Sequence, residues 1–249
     1  MKVARLSGTG FMWGRVPVSS STSSCHRYAA VLRHMPEGVS LPFPEKYRIM
    51  GAMNENRFVA TLEADPRYTE IERERTLRID LGDGLYVEGH CDIICLEDGQ
   101  QVIFELKSAD SKRTLATCIK KGKPKSDNLA QLVAYLCAAG LSKGYLVYSF
   151  YPDNVTLAIE RKFTVELAAD GAIMLDGVAS PYTVRQMLDH LLTSAHVYAT
   201  NTLPERPLNH DVKYKSVCSF CPWHTVCNSS SIGKAKSIVD FAAECVKLL

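Results

Sequence analysis

Residues 86–107 read YVEGHCDIICLEDGQQVIFELK. Two strand-like runs, Tyr86 to Leu96 and Gln101 to Lys107, flank Glu97-Asp98-Gly99-Gln100. Asp-Gly between such runs is a strong type I′ hairpin signal. A two-residue Asp98-Gly99 turn sets a register that places Asp92 opposite Glu105 and His90 opposite Lys107. Opposed side chains share a face with Cβ atoms about 4.5–5.5 Å apart. Glu105 and Lys107 share that face because strands repeat every two residues. Two carboxylates and an ammonium therefore converge. Opposed carboxylates repel unless a cation lies between them, and hard oxygen ligands suit Mg²⁺ or Mn²⁺. Lys107 beside them would polarise a water. The D…ExK pattern alone equally describes an ordinary surface hairpin with scattered charges, so the rest of the chain has to decide.

The chain has 249 residues, enough for one large domain or one domain with an appended piece. Its net charge of +2 gives no global basic signal, so any nucleic-acid site is a local patch. No run of about 18 apolar residues is present, and no membrane span is expected. Met1 to Pro17 lacks the apolar centre of a secretory signal. The expected compartment is the cytoplasm, of a bacterium or archaeon or for a phage-encoded protein. The nine cysteines then imply metal ligation or burial rather than a disulfide framework.

Along the chain, Ser-rich residues 18–24 lead into Cys25 and a helix over His26 to Met35. A second helix is expected over Tyr47 to Leu62, with Ile49, Met53, Phe58 and Leu62 buried and Asp65-Pro66 ending it. Thr69 to Asp80 alternates charge as a strand does. After the hairpin, Ser108 to Lys125 is polar. Asp127 or Asn128 caps a helix over Leu129 to Ala139 that Gly140 stops. Tyr145 to Tyr151 and Thr156 to Leu167 are β-rich, and Thr183 to Ala199 is a long amphipathic helix. A linker over Pro204 to Asp211 and a terminal helix from about Lys236 to Leu249 complete the chain. The order implies an α/β (α+β) fold, a mixed sheet flanked by helices.

Cys218, Cys221 and Cys227 place three thiols within ten residues. The set needs a fourth ligand. His224 would close a Cys3His zinc site; Cys25 would close a four-thiolate site suited to [4Fe–4S] and tie the two ends of the domain together. Cys91, Cys95, Cys118, Cys137 and Cys245 fall in strand or helix patterns and read as buried small side chains.

Gln131 and Tyr135 share a helix face at i, i+4, either as a surface pair or as a contact for a phosphate or base. Glu55 is a lone helical acid. The run Lys120-Lys121-Gly122-Lys123-Pro124-Lys125 is a solvated loop or a phosphate track. It is no phosphate-binding loop, since the Gly-rich lead and Lys-Ser/Thr pair are missing. No nucleophile elbow supports serine or cysteine hydrolysis.

Taken in order, Cys25, Gly51-Ala52-Met53-Asn54-Glu55, Gly89-His90-Cys91-Asp92, Glu105-Leu106-Lys107, Gln131-Leu132-Val133-Ala134-Tyr135 and Cys218-x2-Cys221-x5-Cys227 resemble the PD-(D/E)xK nucleases. Within them they resemble the RecB-type nucleases that carry an iron–sulfur cluster, the group of the CRISPR-adaptation exonucleases and the AddB nuclease domain. The resemblance implies a restriction-endonuclease-like core in one nuclease domain over 1–249, with the core at about 45–200 and cluster-binding segments at about 18–36 and 212–230. It implies that Asp92, Glu105 and the Leu106 carbonyl ligate Mg²⁺ or Mn²⁺, with Glu55 standing where relatives often have His. Lys107 would orient or activate the attacking water. Gln131 and Tyr135 would sit beside the site and contact DNA. Cys25, Cys218, Cys221 and Cys227 would hold a structural [4Fe–4S] cluster.

The implied activity is a metal-dependent DNA exonuclease preferring single-stranded ends. A flap nuclease or endonuclease within a repair, phage-recombination or CRISPR-adaptation complex is the second reading. A non-catalytic zinc or iron–sulfur nucleic-acid-binding module is the third, and the intact Glu55, Asp92, Glu105 and Lys107 set argues against it.

Overall fold

Asp98 and Gly99 both take left-handed backbone angles, φ 50° and 81°, as a type I′ turn requires. In this computed structural model the turn joins β3 (Leu85–Glu97) to β4 (Gln100–Ser108). The register follows the turn from Glu97↔Gln100 to Ile93↔Phe104. The structure describes residues 15–17, 45–82, 85–108, 122–150 and 159–199. The remaining elements are β1 (Arg15–Pro17), α1 (Glu45–Glu63), β2 (Tyr68–Gly82), α2 (Ser126–Ala139), β5 (Lys143–Phe150), β6 (Ile159–Leu167), β7 (Ala172–Leu175), β8 (Val178–Thr183) and α3 (Val184–Ala199).

Two compact units divide the chain. The larger holds 42–79 and 89–188. Its strands run β3-β4-β5-β6-β7-β8, with β2 pairing β3. Only β4 and β5 are parallel among these registered neighbours, from Ile103↔Gly144 to Ser108↔Ser149. A parallel pair needs a crossover, and the segment containing α2 supplies it. The result is the expected mixed sheet with helices packed on it. In the smaller unit, Arg15–Pro17 pairs in parallel with Tyr86–Glu88. Among the described residues, no helix is long and apolar enough to cross a membrane.

One face of the larger unit's sheet carries Ile93, Cys95, Val102, Phe104, Tyr145 and Val147, and α1 covers it with Phe58, Val59 and Leu62. The Phe104 ring stacks on Tyr145 at 4.7 Å and meets Phe58 at 5.3 Å and Tyr68 at 5.7 Å. Residues 103, 105 and 107 point to the opposite face, as the two-residue period demands, and α2 lies there. Gly144 lets α2 approach, since a Cβ on it would meet the Ile103 carbonyl at 3.0 Å and methyls of Leu132 and Leu136 at 3.1 Å.

Several expectations are corrected. Ile49 and Met53 are exposed rather than buried, because the buried row of α1 runs Asn54, Phe58, Leu62, one residue further round the helix. The cap of α2 is Lys125, with no side-chain cap bond. Asn128 instead donates to the Tyr148 hydroxyl, 2.8 Å away, and that hydroxyl also accepts from the Lys125 N–H. Strands β7 and β8 were unforeseen, although Asp176-Gly177, with φ 49° and 79°, repeats the hairpin signal. Cys91 and Cys95 are buried as expected. Cys25, Cys218, Cys221, Cys227, His224, Lys120, Lys121 and the first and last helices lie outside the described residues.

Candidate active site

The β3–β4 ladder stops at Ile93↔Phe104 for a chemical reason. At the next position the Leu106 N–H donates to Oδ2 of Asp92 at 2.6 Å, so a carboxylate replaces the strand's carbonyl as acceptor. In an antiparallel pair the N–H and C=O of one residue point to the same neighbour. The Leu106 carbonyl is thereby directed to the same side as Asp92. The expected register pairs Asp92 with Glu105 and His90 with Lys107, and neither pair forms part of the ladder. His90 is exposed, and its Nδ1 lies 3.1 Å from Thr76 Oγ1 on β2.

Glu105 is 1% exposed. Its Oε1 accepts from Lys107 Nζ at 2.5 Å, while Oε2 is buried with no hydrogen-bond partner among the described residues. Lys107 Nζ also donates to Gln131 Oε1 on α2 at 3.1 Å, and Gln131 Nε2 donates to the Tyr135 hydroxyl at 3.2 Å. The chain Glu105–Lys107–Gln131–Tyr135 therefore joins the two strand residues to the helix pair. Tyr135 is 2% exposed and is linked to Lys107 through Gln131. Its hydroxyl accepts from Gln131 and so holds that amide beside Lys107.

Burial pushes the Glu105 carboxyl up to about 8, against the pull of Lys107; the Asp92 charge adds to the rise. Burial likewise lifts Asp92 to about 6, opposed by Lys107 and the Leu106 N–H and reinforced by Glu74 and Glu55. Glu74 sits on β2 with φ 54°, a strained angle for a residue with a side chain. Residue spacing carries no signal for the approach of Glu74 to Asp92, which depends on how β2 pairs with β3.

Glu55 lies on α1, and its Oε1 accepts from Arg73 Nε at 2.9 Å and Nη2 at 2.5 Å. It lines a pocket of about 250 Å³ together with Gly51, Asn54, Asp92, Leu106, Lys107, Ser108 and Ser149. Asn54 is buried and donates to Ser108 Oγ at 2.7 Å, tying α1 to the end of β4. Asn54, Ser108, Ser149 and Arg73 were missed in the sequence. Asn54 alone was legible, as a polar residue on the row Asn54, Phe58, Leu62. Of the basic run, Lys123 and Lys125 are exposed.

Among the described residues, no three His, Cys, Asp or Glu side chains converge closely enough to hold a metal ion as they stand. Asp92, Glu105 and Glu55 are each engaged by a separate donor. The donor set nevertheless fits a hard divalent cation. A buried carboxylate oxygen without a partner is costly, and a cation on Glu105 Oε2 would remove that cost.

The model of the PD-(D/E)XK nuclease superfamily matches residues 18–228. The chain belongs to that superfamily. The Asp92 and Glu105-Leu106-Lys107 constellation thus sits in a nuclease, a hydrolase of phosphodiester bonds. The nuclease is similar in fold to the crystal structure of SSO0001, with a TM-score of 0.52, 17% identity, and 88% of this chain and 87% of that chain covered. The structure of LHK-Exo in complex with dAMP gives a TM-score of 0.46 at 13% identity, covering 74% and 86% of the two chains. The alkaline exonuclease LHK-Exo from Laribacter hongkongensis gives 0.45 at 12% identity over the same shares. No curated protein matches the nuclease.

Proposed function

We propose that this nuclease is a divalent-metal-dependent DNA exonuclease whose centre is Asp92, Glu105, Lys107 and the Leu106 carbonyl, with Glu55 as a further oxygen ligand. The observation that carries the reading is the buried, unpartnered Oε2 of Glu105 beside a second desolvated carboxylate, Asp92. Mg²⁺ or Mn²⁺ held by these oxygens would supply Lewis acidity and a water of lowered pKa. Asp92 is oriented by the Leu106 N–H, which presents its second oxygen. Lys107 is held between Glu105 and Gln131, so its ammonium is aimed rather than free to swing, and it orients the attacking water at the scissile phosphate. Gln131 fixes Lys107, and Tyr135 fixes Gln131.

Preference for single-stranded ends rests on the resemblance to RecB-type nucleases. So does a structural [4Fe–4S] cluster on Cys25, Cys218, Cys221 and Cys227. The superfamily match from 18 to 228 supports counting both cysteine segments in the nuclease domain. Lys123 and Lys125, exposed ahead of α2, supply positive charge for a DNA backbone. Partner proteins of a repair, recombination or adaptation complex belong to this reading too.

The test uses end-labelled single- and double-stranded DNA, linear and circular, with Mg²⁺ or Mn²⁺. An exonuclease degrades linear strands progressively and spares circles; cleavage of circles would establish the endonuclease reading instead. Brown protein absorbing near about 400 nm, with iron and sulfide in equal amount, supports the cluster. Colourless protein with one zinc per chain would replace it with the Cys218, Cys221, His224 and Cys227 site.

A further inference from the structure

Three acids of the site have three different partners, and the partners are not equivalent. Asp92 is bound by a backbone N–H that cannot leave its strand. Glu105 is bound by Lys107, two residues along the same strand and mostly buried. Glu55 is bound by Arg73 from a different element, β2, and Arg73 is 43% exposed while Glu55 is 19% exposed. Both contacts fall on Oε1 of Glu55. A half-exposed ion pair of this kind is weak and exchanges readily. A guanidinium fork, moreover, suits a phosphate as well as a carboxylate. Glu55 lines the same pocket as Asp92, Leu106 and Lys107, so the released carboxylate is already beside the other ligands.

We propose that Arg73 is a positioning residue that competes with the divalent cation for Glu55 and yields it when a phosphate of the nucleic-acid strand takes the guanidinium. This rests on the reading of Asp92, Glu105 and Glu55 as the metal-binding acids. The exchange couples substrate to metal: a bound strand makes the third acid available, and metal binding leaves Arg73 available to the strand. By linkage the two affinities rise together. No covalent step is involved.

The test is a double-mutant cycle on the full chain, read by Mn²⁺ titration calorimetry without nucleic acid. Arg73→Gln should bind Mn²⁺ about 2–5-fold more tightly than wild type, the strength of an exposed pair recovered. Glu55→Gln should bind it more weakly, and Arg73→Gln in the Glu55→Gln background should change nothing further. A gain from Arg73→Gln that persists without Glu55 is simple charge removal and overturns the proposal, as does no gain in the wild-type background. The second readout is fluorescence anisotropy of a labelled oligothymidylate in EDTA. Arg73→Gln should weaken binding about 3–10-fold and reduce the salt slope by about one phosphate contact. Unchanged oligonucleotide binding overturns the exchange. Wild-type protein that takes up no Mn²⁺, or a Glu105→Ala variant that takes it up undiminished, defeats the reading of the site itself.

Discussion

Lys107 Nζ stands 2.5 Å from one oxygen of Glu105, while the other oxygen of that buried carboxylate has no hydrogen-bond partner among the described residues. Half of the charge is answered from within the chain and half is left open. A purely structural ion pair gains nothing from such an arrangement, and a metal centre does.

The first consequence is a cost in stability. The folded-state pKa of Glu105 is raised from 4.5 to about 8, so the native protein binds more protons than the unfolded chain between those values. Stability therefore falls as pH rises through that window. Glu105→Gln removes the ionising group and should flatten the slope, gaining one to a few kcal/mol over wild type near pH 8 (an order-of-magnitude figure). Urea melts at pH 5 and pH 8 measure it. Mn²⁺ should stabilise the wild type and leave Glu105→Gln unmoved. A variant less stable than wild type at pH 8 contradicts the buried-charge account.

Gln131 holds Lys107, and Tyr135 holds Gln131. Gln131→Leu should lower kcat by about 10–100-fold with little change in KM, because it disorders an aimed group rather than a binding contact. Tyr135→Phe deletes one neutral acceptor, worth about 1 kcal/mol, and should cost a few-fold. Equal losses from both variants would place Tyr135 on the substrate instead.

At the other end of the same hairpin, Glu97 accepts from Lys143 at 2.8 Å, Tyr145 at 2.5 Å and Tyr68 at 2.9 Å. Burial pushes this carboxyl up, and the three donors together outweigh it and hold it below its usual value. A depressed acid gives stability that is present above its unfolded pKa, about 4.3, and lost as pH falls through the folded one. Wild type should lose stability on acidification below about pH 4. Glu97→Gln should cost on the order of 2–4 kcal/mol at pH 7 and show a shallower acid slope. Parallel acid-denaturation curves for the two proteins would argue against the network.

Gly144→Ala puts a methyl 3.0 Å from the Ile103 carbonyl and 3.1 Å from two leucine methyls of α2. Overpacking of that kind costs about 1–3 kcal/mol, read as a lower urea midpoint. An unchanged midpoint would mean that α2 sits further from β5.

The hairpin was legible because Asp-Gly fixes both the turn and the register as far as Ile93↔Phe104, which brings Asp92 and Glu105 together just past the end of the ladder. The pair Gln131 and Tyr135 was legible as one helix face. What the sequence hid was set by tertiary contacts. Arg73 meets Glu55 across 18 residues, and Glu74 comes near Asp92 from β2 with a left-handed backbone angle that no pattern announces. The exposed Ile49 and Met53 show the same limit: apolar periodicity locates a helix but not its rotation when a polar residue, Asn54, takes the buried row. The break in the ladder at Asp92 depends on a side chain replacing a backbone acceptor, which residue spacing does not encode.

The most direct measurement is cleavage of end-labelled single-stranded DNA by wild type and Glu105→Ala, with Mg²⁺ or Mn²⁺ and with EDTA. The account predicts cleavage by wild type that needs the metal, and a loss of about 10³-fold or more in Glu105→Ala with DNA still bound. Cleavage by Glu105→Ala at the wild-type rate, or undiminished cleavage in EDTA, would contradict it.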